Sequence, residues 1–538
     1  MSLLDDVSVV VTPNGYKAGT LYGVIPSSGA ADMDVTRATA GTRVDENGLV
    51  NYAQVLGNSI WDGANGDTTG WTPFGSNTFA PEDGALKITY VDNAAGVYIY
   101  LRDSSQLTTD LTIGNAYIIS FDTKVTSGSV VWTTQDLGGI NYYAPETSST
   151  SYINQTITIV ANSTNSCFFF PRQYNSAASV FIKNIKVQEV TRDNVPRIDY
   201  TGGGCPHILA EPQRTNLLTY SEDFQNYFNV TEITLNLNYA ISPDGTLNAN
   251  KINFPSSSNS MYKSGLSLSG THTVSFYVKG EGTNIGKTFD VRLQGTSVNQ
   301  NLDVTITGEW VRFEAQTDGL TVFELTNRSS TTIGSGSLIL FGFQIEAGSY
   351  ATSYIPTSGS TVTRNQDQFT RDGIGSLIND SEGVFFLEVA RQNGDVTARV
   401  ISLNNGAATQ NVALYYFSTG QIAFDVISSS PVVSGNSASH NTYNFNKIAL
   451  KYKSGDIALW VNGVEVVTKT NTISLSGLNK ISFGYGDDSF PFFGKIKQLQ
   501  VYDTALTDMQ LIQLTGTSGT DFYESYSEMA ESLTYTIQ

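Results

Sequence analysis

The sequence predicts an all-β protein made of tandem jelly-roll β-sandwiches with a short C-terminal helix. Three observations carry this. Short β-branched and aromatic runs, such as AYIISFDTKV from Ala116 and QIAFDVI from Gln421, recur between Ser, Thr, Asn and Gly turn signals. Within them apolar and polar residues alternate, as a strand with one wet face requires. Helical periodicity is confined to the C-terminal end of the chain, and 538 residues suffice for three or four cores at ~150 residues each.

Residues 1–50 carry scattered Gly, Pro and Asp and read as an extended anchoring segment that packs on something else. Residues 51–190 and 216–365 then form two related sandwiches, because short strings recur in the same order. ALKITY from Ala85 answers to ANKINF from Ala249, ISFDTKV from Ile119 to VSFYVKG from Val274, and IKNIKV from Ile182 to FGFQIE from Phe341. Residues 191–215 read as a linker. A third sandwich spans 366–516, with a hairpin turn at Ser454-Gly455-Asp456 and a second at Asn462-Gly463, the strongest two-residue hairpin signal. It closes on a helix opened by a Thr507/Gln510 capping box and ended at Gly516. In the tail, 517–538, Phe522, Tyr526, Met529 and Leu533 form one amphipathic stripe that needs a cover, either the last sandwich or a partner.

Composition excludes several functions. With 49 acidic against 30 basic residues, the net charge of −19 repels a phosphate backbone, so no nucleic acid is expected as partner. Two cysteines cannot make a disulfide scaffold; Cys167 reads as a buried strand thiol and Cys205 as a loop residue. No run reaches the ~18–20 apolar residues of a membrane span. The start, MSLLDDVSVVVTPNGY, is acidic where an export signal is basic, so no export signal is expected.

Several segments have a recognisable form. TRATAGTRV from Thr36, VPRIDY from Val195, EPQRTNL from Glu211, YSEDF from Tyr220 and EAGSYATSYIP from Glu346 resemble the linkers of a recurrent phage virion architecture. The closing strand GKIKQLQVYDTAL from Gly494 is similar to the end of a concanavalin A-like, laminin-G-type domain. The resemblance implies carbohydrate-binding-like sandwiches in a tail or head appendage of a tailed phage, located in the virion. It also implies other virion proteins and host-surface or environmental glycans as partners, and a homo-oligomer, with a trimer favoured.

Catalytic constellations are not expected. The stretch CPHILAEPQRTNLLTYSEDF from Cys205 gathers His207, Glu211, Arg214 and Ser221, but Pro206 and Pro212 hold it extended and no G-x-S-x-G surrounds Ser221. It reads as a junction: Glu211 and Arg214 as a clasp, and Leu217, Leu218 and Phe224 as the first strand edge of the second sandwich. Paired glycosidase carboxylates are not evident, since Glu465 is a single acid on an exposed strand face. His207, His272 and His440 lack zinc spacing. The only cofactor considered is calcium at Asp487 and Asp488, a loop that reads equally as a solvated hairpin.

Glycan binding needs aromatic faces beside amides and acids. The candidates are Trp61, Trp71, Trp132, Tyr142 and Tyr143 in the first sandwich and Tyr415, Tyr416, Tyr485 and Phe490 in the third. Trp310 and Trp460 sit in strand patterns and read as core. The expected function is therefore a non-enzymatic virion fibre or surface appendage that adheres to glycans. The alternatives are a capsular polysaccharide depolymerase and a purely architectural connector or capsid decoration protein.

Overall fold

A computed structural model describes residues 3–61, 63–73, 77–89, 99–102, 107–135, 141–162, 164, 168–173, 179–230, 232–295, 299–328, 332–429 and 432–516. Cys167 and the stripe in the tail lie outside these residues. The chain is all-β, arranged in antiparallel sandwiches, and its longest described helix is Asp508–Thr515. Residues Gln54–Thr191 form one compact unit; Met1–Ala53 and Arg192–Gln538 form the other.

In the first unit, one sheet runs in the order Ile153–Val160, Ala116–Val125, Ser179–Thr191, Ala85–Thr89 and Thr78–Glu82, with Val55–Ser59 added on Ser179–Thr191. The facing sheet holds Trp71–Pro73, Ile99–Arg102, Val130–Gln135, Asn141–Tyr143 and Phe168–Gln173. Strict alternation along Ala116–Val125 sends Tyr117, Ile119, Phe121 and Val125 inward, onto Trp132, Ile157 and Ile182.

The other unit contains a sandwich of the same design. Its larger sheet runs Val311–Asp318, Thr271–Lys279, Gly336–Ala347, Leu247–Phe254, Thr234–Ile241, so each string of the repeat occupies the equivalent strand. The register even breaks at the same place, between Ser120 and Asp122 in one copy and between Ser275 and Tyr277 in the other. In both copies the extra residue lies on the partner strand, where Asn184 and Gly342 take positive φ, and Phe276 packs 4.9 Å from Phe343 in a core of aromatic rings.

The C-terminal sandwich recruits strands from far away in sequence. The central strand Glu382–Arg391 pairs with Gly494–Tyr502, which also pairs with Val7–Val11 and with His207–Ala210. In the facing sheet, Met33–Thr36 pairs with Gln368–Arg371. The first fifty residues are therefore not an extended anchor: Val9, Val11, Met33 and Val35 are buried in one core with Phe385, Leu387 and Leu499. The supposed linker likewise supplies Ile198–Asp199 and His207–Ala210 to the eight-stranded sheet. Alternation of burial, as in Met33 and Val35 against exposed Asp34 and Thr36, is what makes so short a strand worth pairing.

Local signals are realised as chemistry dictates. Asn462 and Gly463 both take positive φ, as a two-residue hairpin of this twist demands. Thr507 accepts from the Gln510 amide while the Gln510 side chain accepts from the Thr507 amide. Gly516 follows the helix with φ −62° rather than a left-handed cap.

The motif-bearing segments converge on one buried ionic cluster. Arg37 donates to Asp367 at 2.7 Å, and Arg197 bridges Asp367 and Glu211, the latter at 2.5 Å. Arg364 adds a second cation 2.9 Å from Glu211, and both Arg197 and Arg364 donate to the Ser353 hydroxyl. All five charged side chains are buried. Burial alone would raise the Glu211 carboxyl, but Arg364 and Arg197 hold it well below the usual carboxylate range. The expected clasp between Glu211 and Arg214 is replaced by this arrangement: the two residues lie on either side of Pro212, and Arg214 faces Glu346 at 3.6 Å instead. Phe224 is also corrected; it is core of the second sandwich, but on the helical turn Phe224–Tyr227 rather than a strand edge.

The junction also closes the chain around the first unit. Arg192 carries its guanidinium 4.1 Å from the Tyr52 ring, and the Arg192 carbonyl accepts from Arg37. The two chain positions where residues 54–191 leave and re-enter therefore adjoin.

Candidate functional site

His207 and Ser221 are held by separate partners. The buried His207 Nε2 lies 3.3 Å from Asp199, whereas Ser221 Oγ is shared with the Tyr354 hydroxyl at 2.6 Å and accepts from the Thr357 amide. Cys205 is a free, exposed thiol. Glu465 is exposed, and Trp460 is core, as its strand pattern implies. Trp310 is partly buried, and its indole donates to the Ile241 carbonyl at 3.2 Å.

The residues with binding chemistry gather on the outer face of the nine-stranded sheet. Strands Gln410–Tyr416 and Gln421–Ser428 send Val412, Leu414, Tyr416, Ile422, Phe424 and Val426 into the core. Period-two alternation puts Tyr415 and Asp425 on the other side. Ala413 stands opposite Asp425 in the ladder, so Tyr415 is its diagonal neighbour and donates to Oδ1 at 3.3 Å.

The segment after Lys480–Ser482 adds the second half. It crosses so close to residue 407 that a Cβ on Gly486 would lie 2.1 Å from the Ala407 carbonyl oxygen, so only glycine fits. A turn closed by the Tyr485 amide on Ser489, at 3.0 Å, then aims the Tyr485 hydroxyl at Asp425 Oδ2, 2.6 Å away. One carboxylate thus accepts a phenol on each oxygen. Burial first, and then the Asp425 charge, push both phenols well above the ordinary tyrosine range, so they remain proton donors.

Exposed rings flank this triad. Phe417 meets Tyr415 edge-on with centroids 5.0 Å apart, and Phe490 meets Tyr485 at 6.2 Å. Phe490 is 54% exposed and sits at φ 51°, a conformation that costs a bulky residue on the order of 1–3 kcal/mol. Its carbonyl accepts from the Val400 amide, which holds the ring out toward solvent. Apolar faces beside hydrogen-bonding groups are what a sugar ring requires.

Three of the four third-sandwich candidates therefore meet. The fourth, Tyr416, is buried, with its hydroxyl on the Val389 carbonyl at 2.8 Å, because it is one residue out of phase with Tyr415. Asp425 and Phe417 were missed. The signal for Asp425 was present: it is the lone acid among the apolar residues of QIAFDVI, and the Ser418-Thr419-Gly420 hairpin fixes its register with Tyr415.

Asp487 and Asp488 sit at the tip of the same turn. Asp487 accepts from both the Ser489 amide and hydroxyl, at 3.1 and 2.6 Å, and Asp488 takes φ 61° with Lys480 3.9 Å away. Among the described residues no group of three or more His, Cys, Asp or Glu is placed to share a metal ion. Both aspartates read here as turn residues.

In the first unit, Trp61 and Trp71 come together in a shallow cleft with Asn65, Asp67 and Lys183. Asn65 and Asn184 exchange hydrogen bonds of 2.7 and 2.9 Å, which pins the loop over the sheet. Trp71 is largely buried, so Trp61 offers the accessible surface. Trp132 is not a platform: it is fully buried, with its indole donating to Thr123 at 2.8 Å. Tyr142 packs partly against the core, while Tyr143 is exposed on the edge strand.

Residues 385–511, which contain Tyr415, Asp425, Tyr485 and Phe490, match the family model of the concanavalin A-like lectin/glucanases superfamily. That part of the chain is similar to a laminin-G-like domain. No curated protein matches the chain. Among solved structures, the carbohydrate-binding module of the Ruminococcus gnavus IT-sialidase, bound to α2,3-sialyllactose, matches with 20% identity. It covers 26% of this chain and 84% of its own, with a TM-score of 0.23. The tandem family 22 modules of Paenibacillus barcinonensis Xyn10C match with 13% identity over 55% of this chain and 98% of theirs, TM-score 0.21. A family 29 module complexed with cellulohexaose matches with 15% identity over 26% and 94%, TM-score 0.20.

Proposed function

We propose that the protein is a non-catalytic, glycan-binding appendage of a tailed-phage virion, oligomeric and most simply trimeric, that adheres to host-surface or environmental glycans. One observation carries the binding reading: Asp425 holding the Tyr415 and Tyr485 hydroxyls between the exposed rings of Phe417 and Phe490. The rings supply apolar faces for pyranose C–H groups, and the carboxylate and phenols supply acceptors and donors for sugar hydroxyls. The virion reading rests on the resemblance of the linker segments, whose Arg37, Arg197, Glu211 and Ser353 meet in one cluster.

A glycan array probed with the purified chain and with Asp425→Ala tests the binding. Signal on neutral glycans that is lost in the variant supports it, and an array with no signal favours a purely architectural connector. Reducing ends released from host capsule over time would favour a depolymerase. Immunogold labelling of intact particles tests the virion placement, and sedimentation tests the trimer.

A further inference from the structure

The outer face of the larger sheet in residues 54–191 carries a feature that the site above does not use. In the ladder, Lys87 and Lys124 both stand opposite Phe181, one on each neighbouring strand. Their ammonium groups lie 5.7 and 4.6 Å from its ring centroid. Lys124 also lies 4.7 Å from the centroid of Tyr152, and Lys183 reaches the same ring at 4.0 Å. Three lysines thus share two rings in an alternating row across three strands, with Tyr152 just before a fourth.

Such stacking holds the cations in place but leaves their charge uncompensated. Lys87 pairs with Glu82 at 2.9 Å, but among the described residues no carboxylate comes within salt-bridge distance of Lys124 or Lys183. The nearest in register, Asp122 opposite Lys183, accepts from Asn154 and Asn184 at 3.0 and 2.6 Å and stays charged, held low by Lys183 and Lys186 as well, so it offsets part of the row. In a chain of net charge −19, this is a face on which four lysines, Lys87, Lys124, Lys183 and Lys186, stand against three acids, Glu82, Asp83 and Asp122, with Lys124 the one furthest from a carboxylate partner in the ladder.

We infer that this lysine row is a second binding face, selective for glycans that carry carboxylate groups. The inference deepens the glycan-binding reading and rests on it for the class of partner, but uses different residues. Lys87 and Lys124 lie two strands apart, ~9–10 Å, a span that charges repeated along a polysaccharide match. Each contact is weak and screened by salt, so affinity comes from repetition along the polymer. A nucleic acid fits less well: the rings lie under lysine stems, so bases cannot stack on them, and the row has no arginine fork for phosphate.

The test is affinity electrophoresis of the full chain through gels containing alginate or neutral dextran, with single-stranded DNA as competitor. The variants are Lys124→Gln with Lys183→Gln, which removes charge but keeps a stem over the rings, and Asp425→Asn. Expected are retardation by alginate that weakens with salt, a drop of about tenfold in the lysine variant, and full retention in Asp425→Asn. Equal retardation of the lysine variant, alginate no stronger than dextran, or DNA displacing alginate at equal charge overturns the inference. Loss of neutral-glycan binding in Asp425→Asn together with undiminished alginate retardation of the lysine variant would leave the Tyr485 site standing and this one refuted. An unchanged melting temperature of the lysine variant shows that it is folded.

Discussion

Tyr485 and Asp425 stand sixty residues apart in sequence and share a hydrogen bond of 2.6 Å on the outer face of the C-terminal sandwich. The bond orients a phenol between an exposed ring and a carboxylate that already accepts from Tyr415. Tyr485→Phe keeps the ring and removes the donor, so its effect on neutral-glycan affinity is expected to be about three- to tenfold, the equivalent of ~1 kcal/mol for one hydrogen bond. Tyr416→Phe removes a hydroxyl one residue away that points into the core, and should leave affinity unchanged. Titration of both variants against a glycan identified on the array checks the contrast.

Arg197 serves two buried carboxylates, so Arg197→Met leaves Asp367 to Arg37 alone and Glu211 to Arg364 alone. A cost of about 3–5 kcal/mol is expected, because one partner is removed from a buried pair. Denaturant unfolding followed by the fluorescence of Trp310 and Trp460 should show the loss. A cost under about 1 kcal/mol would mean that water reaches the cluster.

Burial outweighs the opposing pull of Asp199 and lowers the His207 pKa to about 4 from 6.5. The unfolded chain then binds a proton below about 6.5 that the folded chain refuses until about 4. Stability from this group is therefore present above 6.5 and falls as pH drops through that window, by on the order of 2–3 kcal/mol. His207→Gln should flatten the decline between pH 6.5 and 4 in a series of thermal melts. An unchanged slope would assign the decline to other groups.

Residues 366–516 alone should not fold as they do in the chain. Without Val7–Val11 and Met33–Thr36, the edge of Gln368–Arg371 is bare and the apolar faces under Val9, Val11, Met33 and Val35 open to water. Burial of each such side chain contributes roughly 1.5–3 kcal/mol. The fragment is expected to be aggregated or weakly protected in hydrogen exchange, and co-expression with residues 1–53 to restore protection.

How much of this was legible depends on how far away the deciding partner lies. The Asn462-Gly463 hairpin and the Thr507/Gln510 box are closed by neighbours in sequence, so their chemistry is local and could be read. The repeat was legible because equivalent strands keep equivalent alternation, down to Phe121 and Phe276. Met33–Thr36 is four residues long; its near partner, Thr20–Leu21, is only two residues long, and the strand that ties it to the third sandwich begins at Gln368. Tyr415 and Tyr416 are adjacent and identical in type, and only the phase of the sheet on its core decides that one faces out. Arg214 beside Glu211 looks like a pair in the string, yet the backbone sends the two toward different cations and anions. The lysine row escaped notice because its members come from three strands and are scattered from position 87 to 183.

The stacking of Arg192 on Tyr52 gives residues 54–191 a single doorway. A segment that departs and returns through adjoining positions can be excised, or traded for another of different taste, without unravelling what lies outside it. Joining Ala53 to Arg192 with a short flexible bridge should leave a well-folded remainder. A lineage could thus exchange this module by recombination at one seam, while the ionic knot beside it preserves the scaffold.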